Sequence, residues 1–380
     1  MIKKSSLIAY LPMMVWLFFG IFSLRYGQEI LNGGNGWKTG DWLINYSDGF
    51  IRRGFLGSLV YWISDFGISI LWLVYLMQVS IYALMFSFVL KLYKSTDRSL
   101  YWLLILFSPA FLLFPFYDFQ GGFRKEILVL TLFAFFSLSY AQASVSKAKV
   151  TWVVFFYFLA GVSHEVTIFV LPFFLYMLWQ SVETNQLEKK YGIIFSIALI
   201  AISFSLLLIS YVFKGSEASA SVICNSLTER SLTPNICNGA ISWLKEDSRS
   251  SFNRVIEGLG GHSLSVFQFV VLAFVPTIFT TFWNKKTLVL FAVSFVFITP
   301  LFAVAIDWGR WIYIFAFMFY CVLLSSRVVV NVPFRLSYLL AGFIYLTTWS
   351  IPHCCTGGGI GTGLMGFGAK VSKLALGLIM

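Results

Sequence analysis

The sequence predicts an all-α polytopic integral membrane protein with about eleven transmembrane helices. Hydrophobic residues make up 59% of its 380 residues and charged residues 11%, whereas about 25% of the residues of an ordinary soluble domain are charged. Apolar runs near the length of about 20 residues that crosses a bilayer recur along the chain. This composition excludes a soluble enzyme, a nucleic-acid-binding protein and a disordered chain. The net charge of +11 is therefore a topology signal, since basic residues mark cytoplasmic loops.

Ten apolar runs carry the predicted spans. The first run follows Lys3 and Lys4 and is interpreted as a retained signal anchor, because no small-residue cleavage site follows it. This interpretation places the N-terminus in the cytoplasm. The runs cover residues 7–24, 68–90, 100–116, 127–143, 150–180, 191–213, 264–283, 287–305, 311–325 and 336–351.

The run 150–180 is too long for one span. As a single helix it would extend about 46 Å, well beyond a hydrocarbon core of about 30 Å. His164 and Glu165 stand at its middle, where a lone charge is costly. We therefore expect two short spans with residues 163–165 at the outer turn, which gives eleven spans and places the C-terminus outside.

The distribution of basic residues supports this division. In the eleven-span topology the short cytoplasmic loops hold 13 basic residues and only three acidic ones, as expected for loops that stay inside. A single span over 150–180 would invert every later loop and place Lys285 and Lys286 outside. The 13 basic residues are Lys3, Lys4, Lys91, Lys94, Arg98, Lys147, Lys149, Lys189, Lys190, Lys285, Lys286, Arg327 and Arg335.

The whole chain, residues 1–380, is predicted to form a single integral membrane domain that includes a large outer loop, 214–263. Cys224 and Cys237 lie in that loop, on the side of the membrane where disulfides persist. A bridge that closes so short a loop contributes about 3 kcal/mol. The sequence therefore predicts a disulfide between them, with two free thiols as the alternative.

Two groups of cations lie on the predicted outer face, contrary to the rule that basic residues mark cytoplasmic loops. The planar fork of an arginine fits phosphate oxygens through two parallel hydrogen bonds, so two such groups on one face suit a diphosphate at headgroup depth. The alternative is ion pairing within the loops, to Asp48, Asp118 or Glu126. The cations are Arg52, Arg53, Arg124 and Lys125.

Three acidic residues and one histidine on this face are candidate catalytic groups. Histidine titrates near neutrality and can take a proton from a sugar hydroxyl, although His164 could equally cap a helix end. Residues 54–66 repeat apolar side chains at helical spacing, which predicts an amphipathic helix in the interface plane or a half-exposed packing helix. The candidates are Asp41, Asp48, His164 and Glu165.

A further charged motif, residues 307–311, lies in the outer loop between the ninth and tenth spans. Asp307 and Arg310 are three residues apart, so in a helix they would face each other as an ion pair. We expect both to line the substrate cavity. Trp308 and Trp311 would stack on a sugar ring or belong to the interfacial aromatic belt.

These features resemble the bacterial O-antigen polymerases (Wzy). The resemblance rests on the overall layout and on residues 47–54 (SDGFIRRG) and 307–311 (DWGRW). It implies a glycosyltransferase of the bacterial inner membrane that polymerises undecaprenyl-diphosphate-linked oligosaccharide repeat units of O-antigen or capsule at the periplasmic face. It also implies a chain-length regulator in the membrane as a partner. The family's dependence on outer arginines would here implicate Arg52, Arg53, Arg124 and Arg310.

A weaker resemblance is to the GT-C glycosyltransferases, which place a catalytic aspartate in the first outer loop, ahead of an interfacial helix. Asp41 or Asp48 before residues 54–66 fits that order, whereas the paired acidic motif common in that superfamily is absent. Both resemblances imply one chemistry, in which a hydroxyl attacks a polyprenyl-linked sugar and arginines neutralise the leaving phosphate.

A flippase or transporter is an alternative of a different class. Transporters place charges near the midplane of their spans, whereas the predicted spans here are almost without charge. The sequence contains no spacing typical of zinc ligands and no nucleotide-binding motif in a suitable context. We therefore expect no metal, no cofactor and no nucleic-acid partner.

Reporter fusions test the predicted topology. Alkaline phosphatase should be active after the outer positions and a cytoplasmic reporter after the inner ones, because the loops alternate sides. An active phosphatase fusion at Lys285 would contradict the eleven-span arrangement. The outer positions are Asn45, Gly121, Asn225 and Gly309, and the inner positions are Ser95, Asn185 and Lys285.

Overall fold

A computed structural model describes residues 4–97, 99–246, 248–326, 328–330 and 336–354. Lys3, Arg98, Arg327 and Arg335 of the predicted cytoplasmic loops lie outside the described residues. The described chain is helical and holds no β-strand. Its α-helices are α1 (Lys4–Leu31), α2 (Gly54–Ser64), α3 (Ile70–Lys94), α4 (Trp102–Leu106), α5 (Phe114–Tyr117), α6 (Ile127–Ala141), α7 (Lys147–Ser163), α8 (Val166–Phe169), α9 (Leu171–Glu183), α10 (Lys189–Val212), α11 (Glu217–Thr228), α12 (Ser248–Phe274), α13 (Lys285–Val304), α14 (Trp308–Ser325) and α15 (Leu336–Thr348).

Among the described helices, four are long and apolar enough to cross a membrane: α3, α10, α13 and α14. Each has at least 18 residues, with a high mean hydropathy and at most two charged side chains over an 18-residue stretch, a length near the thickness of a bilayer core. The chain is thus an all-α protein with the helices of a membrane protein, as its composition predicts. The number of eleven spans and their orientation remain predictions.

The apolar run 100–116 is not a single helix. α4 ends at Leu106, before Pro109, and the short α5 contains Pro115. A proline lacks the backbone N–H and keeps the preceding residue out of the helical conformation. The irregular segment is tied to α15 instead: the Tyr117 hydroxyl donates to the Leu346 carbonyl at 2.6 Å.

The chain reverses in the middle of the long run 150–180, as predicted. α7 ends at Ser163, and α8 and α9 run back along the bundle; α7 and α9 both pack against α6 and α10. The Gln186 amide nitrogen donates to the Tyr140 carbonyl at 3.2 Å, so the turn between α9 and α10 lies beside the turn that follows α6. The residues around His164 therefore form the turn at the other end of this bundle.

The chain forms two compact units, each assembled from separate segments. The first unit contains the described residues of 1–19, 90–122 and 248–380, and the second unit contains those of 20–89 and 123–247. The arginine pair, the cationic motif after Phe123 and the turn at His164 all belong to the second unit. The motif 307–311 belongs to the first.

The predicted outer loop 214–263 is largely helical. It holds α11, two short 3₁₀ helices and the beginning of α12, and a disulfide joins Cys224 to Cys237 with their Cα atoms 5.9 Å apart. Residues 214–246, which belong to the second unit, lie on the segment before Asp41: the Ala240 N–H donates to the Gly36 carbonyl at 3.0 Å. A Cβ at Gly36 would come within 2.4 Å of the Asn238 carbonyl oxygen, so the two segments pack backbone to backbone.

Thiol labelling tests the bridge. We expect Cys224 and Cys237 to react with a maleimide only after reduction and unfolding of the mature protein, and a Cys224→Ser variant to lose about 3 kcal/mol of stability because the loop closure is lost. Cys321, which is buried and not bridged, serves as the control for access. Equal labelling with and without reductant would contradict the bridge and weaken the outward placement of this loop.

Candidate functional site

Loops of the second unit bring eight ionisable side chains into one charged cluster. Four are cations, three are carboxylates and one is a histidine, and seven of the eight are predicted site residues. They come from three stretches of chain that are far apart in the sequence. The charged cluster consists of Asp41, Arg52, Arg53, Arg124, Lys125, Glu126, His164 and Glu165.

A bidentate salt bridge joins Arg53 to Glu165 at the centre of the cluster. The Arg53 Nε donates to Glu165 Oε2 at 2.7 Å, and its Nη2 donates to the other carboxylate oxygen. Burial would raise the pKa of Glu165, but the charges of Arg53 and Arg52 hold that pKa well below its ordinary value. Glu165 is therefore ionised and held in place, in the paired geometry that makes arginine–carboxylate contacts strong.

Two residues of these loops adopt a left-handed backbone conformation. Arg53 has φ +67° and Phe123 has φ +56°, values that are uncommon for residues other than glycine. In this conformation the Arg53 carbonyl accepts a hydrogen bond from the Lys125 ammonium at 2.7 Å. Such backbone strain costs of order 1–3 kcal/mol and is concentrated at functional sites, which singles out these loops.

A close backbone approach positions Arg53. It directly precedes α2, and this helix packs on the chain just after Asp41, where a Cβ at Gly57 would lie 1.9 Å from the Ile44 carbonyl oxygen. Only glycine allows this contact. As a result Arg53 Nη1 comes within 3.9 Å of Asp41 Oδ1.

Aromatic residues hold the cationic stretch that begins at Arg124. The backbone of Phe123 is bound on both sides, because its N–H donates to the Tyr82 hydroxyl at 3.1 Å and its carbonyl accepts from the Trp42 indole at 3.3 Å. Its ring stacks on Tyr26 with ring centres 4.1 Å apart. Arg124 is itself buried and lies over the Trp37 ring at 5.3 Å, a cation–π contact.

His164 links the cluster to the start of α8. Its backbone N–H donates to the Ala160 carbonyl at 2.8 Å, and its Nδ1 accepts from the Val166 N–H at 3.2 Å. Nε2 lies 4.0 Å from Glu126 Oε2. Burial, with a contribution from Arg53, lowers the pKa of His164 to about 4, so at neutral pH the ring is uncharged and caps a helix end with its lone pair.

Asp41 offers an acceptor that the described residues leave unused. It is buried, and its Oδ1 has no hydrogen-bond partner within the described chain. Burial would raise its pKa, but the charges of Lys125 and Arg53, among others, keep that pKa below its ordinary value. Burial in turn lowers the pKa of Lys125 to about 8. Asp41 is thus an ionised carboxylate with one oxygen available.

Arg52 offers the complementary donor. Its side chain is 28% exposed, and its ion pair with Glu165, between Nη1 and Oε1, is long at 3.7 Å. Its Nε is buried and has no hydrogen-bond partner among the residues described. The Arg52 backbone is fixed, since its N–H donates to the Phe213 carbonyl at the end of α10 at 3.0 Å. A firmly placed arginine therefore keeps most of its donor capacity for a ligand.

The remaining predicted site residues lie elsewhere. Asp48 is exposed on the turn before Arg52. Asp307 and Arg310 lie in the first unit and form the expected ion pair across one helical turn, with 2.6 Å between Arg310 Nη1 and Asp307 Oδ2. Trp311 is buried beside Arg310.

Two polar contacts were not predicted from the sequence. Buried Lys38 pairs with Glu29 at 2.5 Å, and burial lowers the pKa of Lys38 to about 8. Asp118 contacts His353, 235 residues away, at 2.7 Å. Partners so far apart in the chain leave no local pattern. Within the described residues, no group of three histidine, cysteine or acidic side chains could hold a metal ion.

No protein-family model matches the chain, and neither the curated proteins nor the solved structures contain a significantly similar one. The fold and the site together define a class, namely an all-α membrane protein with a largely buried charged cluster on its loops.

A substitution of His164 distinguishes capping from proton transfer. We expect His164→Asn to fold and function like the wild type, since the asparagine Oδ1 stands where the histidine Nδ1 does and asparagine is a favoured cap. His164→Ala should lose about 0.5–2 kcal/mol, because the Val166 N–H loses its acceptor. Thermal unfolding in detergent measures both variants.

A comparison of the wild type with His164→Asn at different pH values gives a second test. The unfolded chain binds a proton on His164 below about pH 6.5, whereas the folded chain does so only near pH 4. The stability of the wild type should therefore fall as the pH drops through this window, and His164→Asn should show a smaller fall. An inactive His164→Asn variant of normal stability would instead support a catalytic histidine.

Proposed function

We propose that this protein is a glycosyltransferase that polymerises undecaprenyl-diphosphate-linked oligosaccharide repeat units, of O-antigen or capsule, at the periplasmic face of a bacterial inner membrane. One observation carries the proposal: the charged cluster holds four cations against three carboxylates, and Arg52 keeps an unpartnered donor there. The excess of positive charge and the unpartnered donor suit a bound anion.

Arg52 is the contact that the diphosphate would use. Its neighbour Arg53 is already engaged on one edge by Glu165, whereas the Arg52 guanidinium is in part exposed and makes only a long contact to the same carboxylate. A guanidinium binds two phosphate oxygens at once. Arg53, Arg124 and Lys125 would add positive charge around the bound group without each having to contact it.

The helix that follows supports a position of this arginine at the depth of a lipid headgroup. α2 turns Leu56 and Val60 inward and leaves Leu59 and Trp62 exposed, the arrangement of a helix that lies in a membrane interface. Arg52 and Arg53 precede its N-terminus, which carries a partial positive charge. A diphosphate whose lipid tail remains in the bilayer would arrive at this level.

The chemistry follows from the charge that develops during transfer. As an acceptor hydroxyl attacks the anomeric carbon, the bond to the diphosphate breaks and negative charge grows on the leaving oxygen. Cations already held in place stabilise that charge without reorganising. The geometry of the cluster fits this task, because its arginines are fixed by Glu165, by Trp37 and by the backbone of Phe213.

A second candidate is a GT-C type transferase that adds one sugar from a polyprenyl donor. The observation in its favour is that Asp41, ahead of α2 in the predicted first outer loop, is a carboxylate with an unused oxygen. An aspartate there would take the proton of the acceptor. Its lowered pKa makes it a weak base, since a general base works best with a pKa near the operating pH.

Deletion of the gene separates the alternatives. A polymerase mutant should export one complete repeat unit, so the lipopolysaccharide or capsule would carry a single repeat in place of a ladder. A GT-C mutant would retain the ladder and lack one sugar. A flippase mutant would show no repeat outside the cell. Either of the last two results would overturn the proposal.

Substitution of Arg52 tests the proposed diphosphate contact most directly. We expect Arg52→Ala to slow polymerisation by about one to two decades at a normal protein level, because one charge-assisted contact of about 1.5–3 kcal/mol is lost. Arg52→Lys should rescue poorly, since an ammonium cannot bind two oxygens in the same way. The measurement is repeat-length distribution on gels.

Arg249→Ala is the matched control, because Arg249 is an exposed arginine of the predicted outer region, outside the charged cluster. It should leave the ladder unchanged. Full ladders from Arg52→Ala would show that Arg52 serves the fold and that the diphosphate binds elsewhere.

A further inference from the structure

Two tryptophans of the second unit, Trp37 and Trp243, meet at its surface. The centres of their rings lie 5.4 Å apart, and the ring planes are inclined by 59°. Each residue leaves more than a third of its surface exposed, 36% for Trp37 and 37% for Trp243. Tryptophan is highly buried on average, so two exposed rings that meet in one corner call for an explanation other than core packing.

The backbone holds both rings of this tryptophan pair in place. The Asn35 side-chain oxygen accepts from the Trp37 N–H at 2.9 Å, and the Trp243 N–H donates to the Gly239 carbonyl at 3.1 Å. A Cβ at Gly239 would lie 2.3 Å from the Gly36 carbonyl oxygen, so the two segments that carry the rings pack directly together. The pair is therefore arranged before a ligand arrives, which lowers the cost of ordering it on binding.

Arg124 connects the tryptophan pair to the charged cluster. Its guanidinium carbon lies 5.3 Å from the centre of the Trp37 ring. The next residue is Lys125, whose ammonium donates to the Arg53 carbonyl at 2.7 Å. The pair and the cluster both belong to the second unit. A ligand whose phosphates lie at the cluster can therefore extend over these rings within that unit.

The surface around the tryptophan pair is polar. Asn235 and Asn238 are exposed beside it, on the segment whose carbonyls pack against Gly36. Lys245 is exposed as well and pairs with Glu217 at 3.4 Å. The ligand that suits this surface offers an apolar face to the rings and hydrogen-bonding groups to the amides around them.

The exposed tryptophan of α2 has different neighbours. Trp62 contacts Phe66 with ring centres 5.5 Å apart, and both are exposed together with Leu59, as expected for side chains that enter a membrane interface. A sugar ring fits the surroundings of the tryptophan pair better than a lipid does. One face of the ring consists of C–H groups that pack on an indole, while its hydroxyls exchange hydrogen bonds with amides.

We propose that Trp37 and Trp243 form a glycan subsite, which binds a sugar ring of the lipid-linked repeat unit whose diphosphate lies at the charged cluster. This inference rests on the proposed function. The C–H face of the sugar packs on the indoles, and its hydroxyls reach the amides of Asn235 and Asn238. The subsite takes no part in the bond changes, so it stabilises the bound substrate and the transition state equally. Its loss should raise KM and leave kcat unchanged.

Kinetics in proteoliposomes test the subsite. The substrate is the lipid-linked single repeat that accumulates in cells lacking the gene. We expect Trp243→Ala to raise KM about 10-fold at an unchanged kcat, because one aromatic contact is lost. Trp243→Tyr should keep a KM near that of the wild type, since a ring remains. Trp179→Ala is the matched control, because Trp179 is exposed in the same unit, near the end of α9 that lies away from the turn at His164; it should keep both constants.

Fluorine NMR gives a measure of binding that does not depend on turnover. The wild type is labelled with fluorotryptophan and placed in nanodiscs, and the signal that disappears in Trp243→Tyr is assigned to Trp243. We expect this signal to shift when the free oligosaccharide, cleaved from its lipid with mild acid, is added. It should stay sharp beside a spin-labelled lipid. The Trp179 signal, assigned in the same way, should not respond to the oligosaccharide.

Either of two results would contradict the subsite: a wild-type KM for Trp243→Ala, or a Trp243 signal that the oligosaccharide leaves unchanged. Broadening of that unchanged signal by the spin-labelled lipid would assign the tryptophan pair to the membrane interface. These results leave the proposed function intact as long as the deletion strain makes single repeats. A deletion strain that keeps its ladder contradicts the proposed function itself, and the subsite with it.

Discussion

The ion pair between Arg53 and Glu165 is the interaction on which the charged cluster depends. It joins the loop before α2 to the turn between α7 and α8, across 112 residues of sequence. Removing one member of a buried pair leaves the other charge unpaired, which costs about 3–5 kcal/mol. The left-handed backbone at Arg53 and the contact of its carbonyl with Lys125 occur at the same residue whose side chain Glu165 holds in place. The strain of the loop is thus offset by the pair.

Sequence analysis located the charges well and their partners poorly. A lone histidine and glutamate inside an apolar run cannot lie at the centre of a membrane, and this cost alone predicts the reversal at His164 that the fold contains. The alternative to a diphosphate site named Asp48, Asp118 or Glu126 as ion-pair partners of the cations, whereas Arg53 pairs with Glu165. Asp118 binds His353 instead. Ion pairs between distant segments depend on tertiary packing, and one sequence holds no periodic signal for them.

The helices show the same division between local and distant causes. Apolar runs gave α3, α10 and α13 to within a few residues, because length and hydropathy are local properties. The run 100–116 has the same composition, yet Pro109 lies in the gap between α4 and α5. The stretch 214–263 was predicted only as a large outer loop, because polar helices that pack on other loops, such as α11, carry no apolar run. The helices of this stretch could not be predicted from the sequence, because they depend on its packing against residues 33–40.

Charge balance is what distinguishes an anion site from a structural network in this cluster. A network that served the fold alone would pair its charges and satisfy its donors, since each unpaired buried group is costly. Here four cations face three carboxylates while His164 is neutral, and within the described chain Arg52 Nε and Asp41 Oδ1 lack hydrogen-bond partners. An arriving diphosphate would accept from Arg52, and a hydroxyl of the attached sugar would donate to Asp41. Arg52 Nε is a donor and Asp41 Oδ1 is an acceptor, which is the pair that a phosphorylated sugar requires.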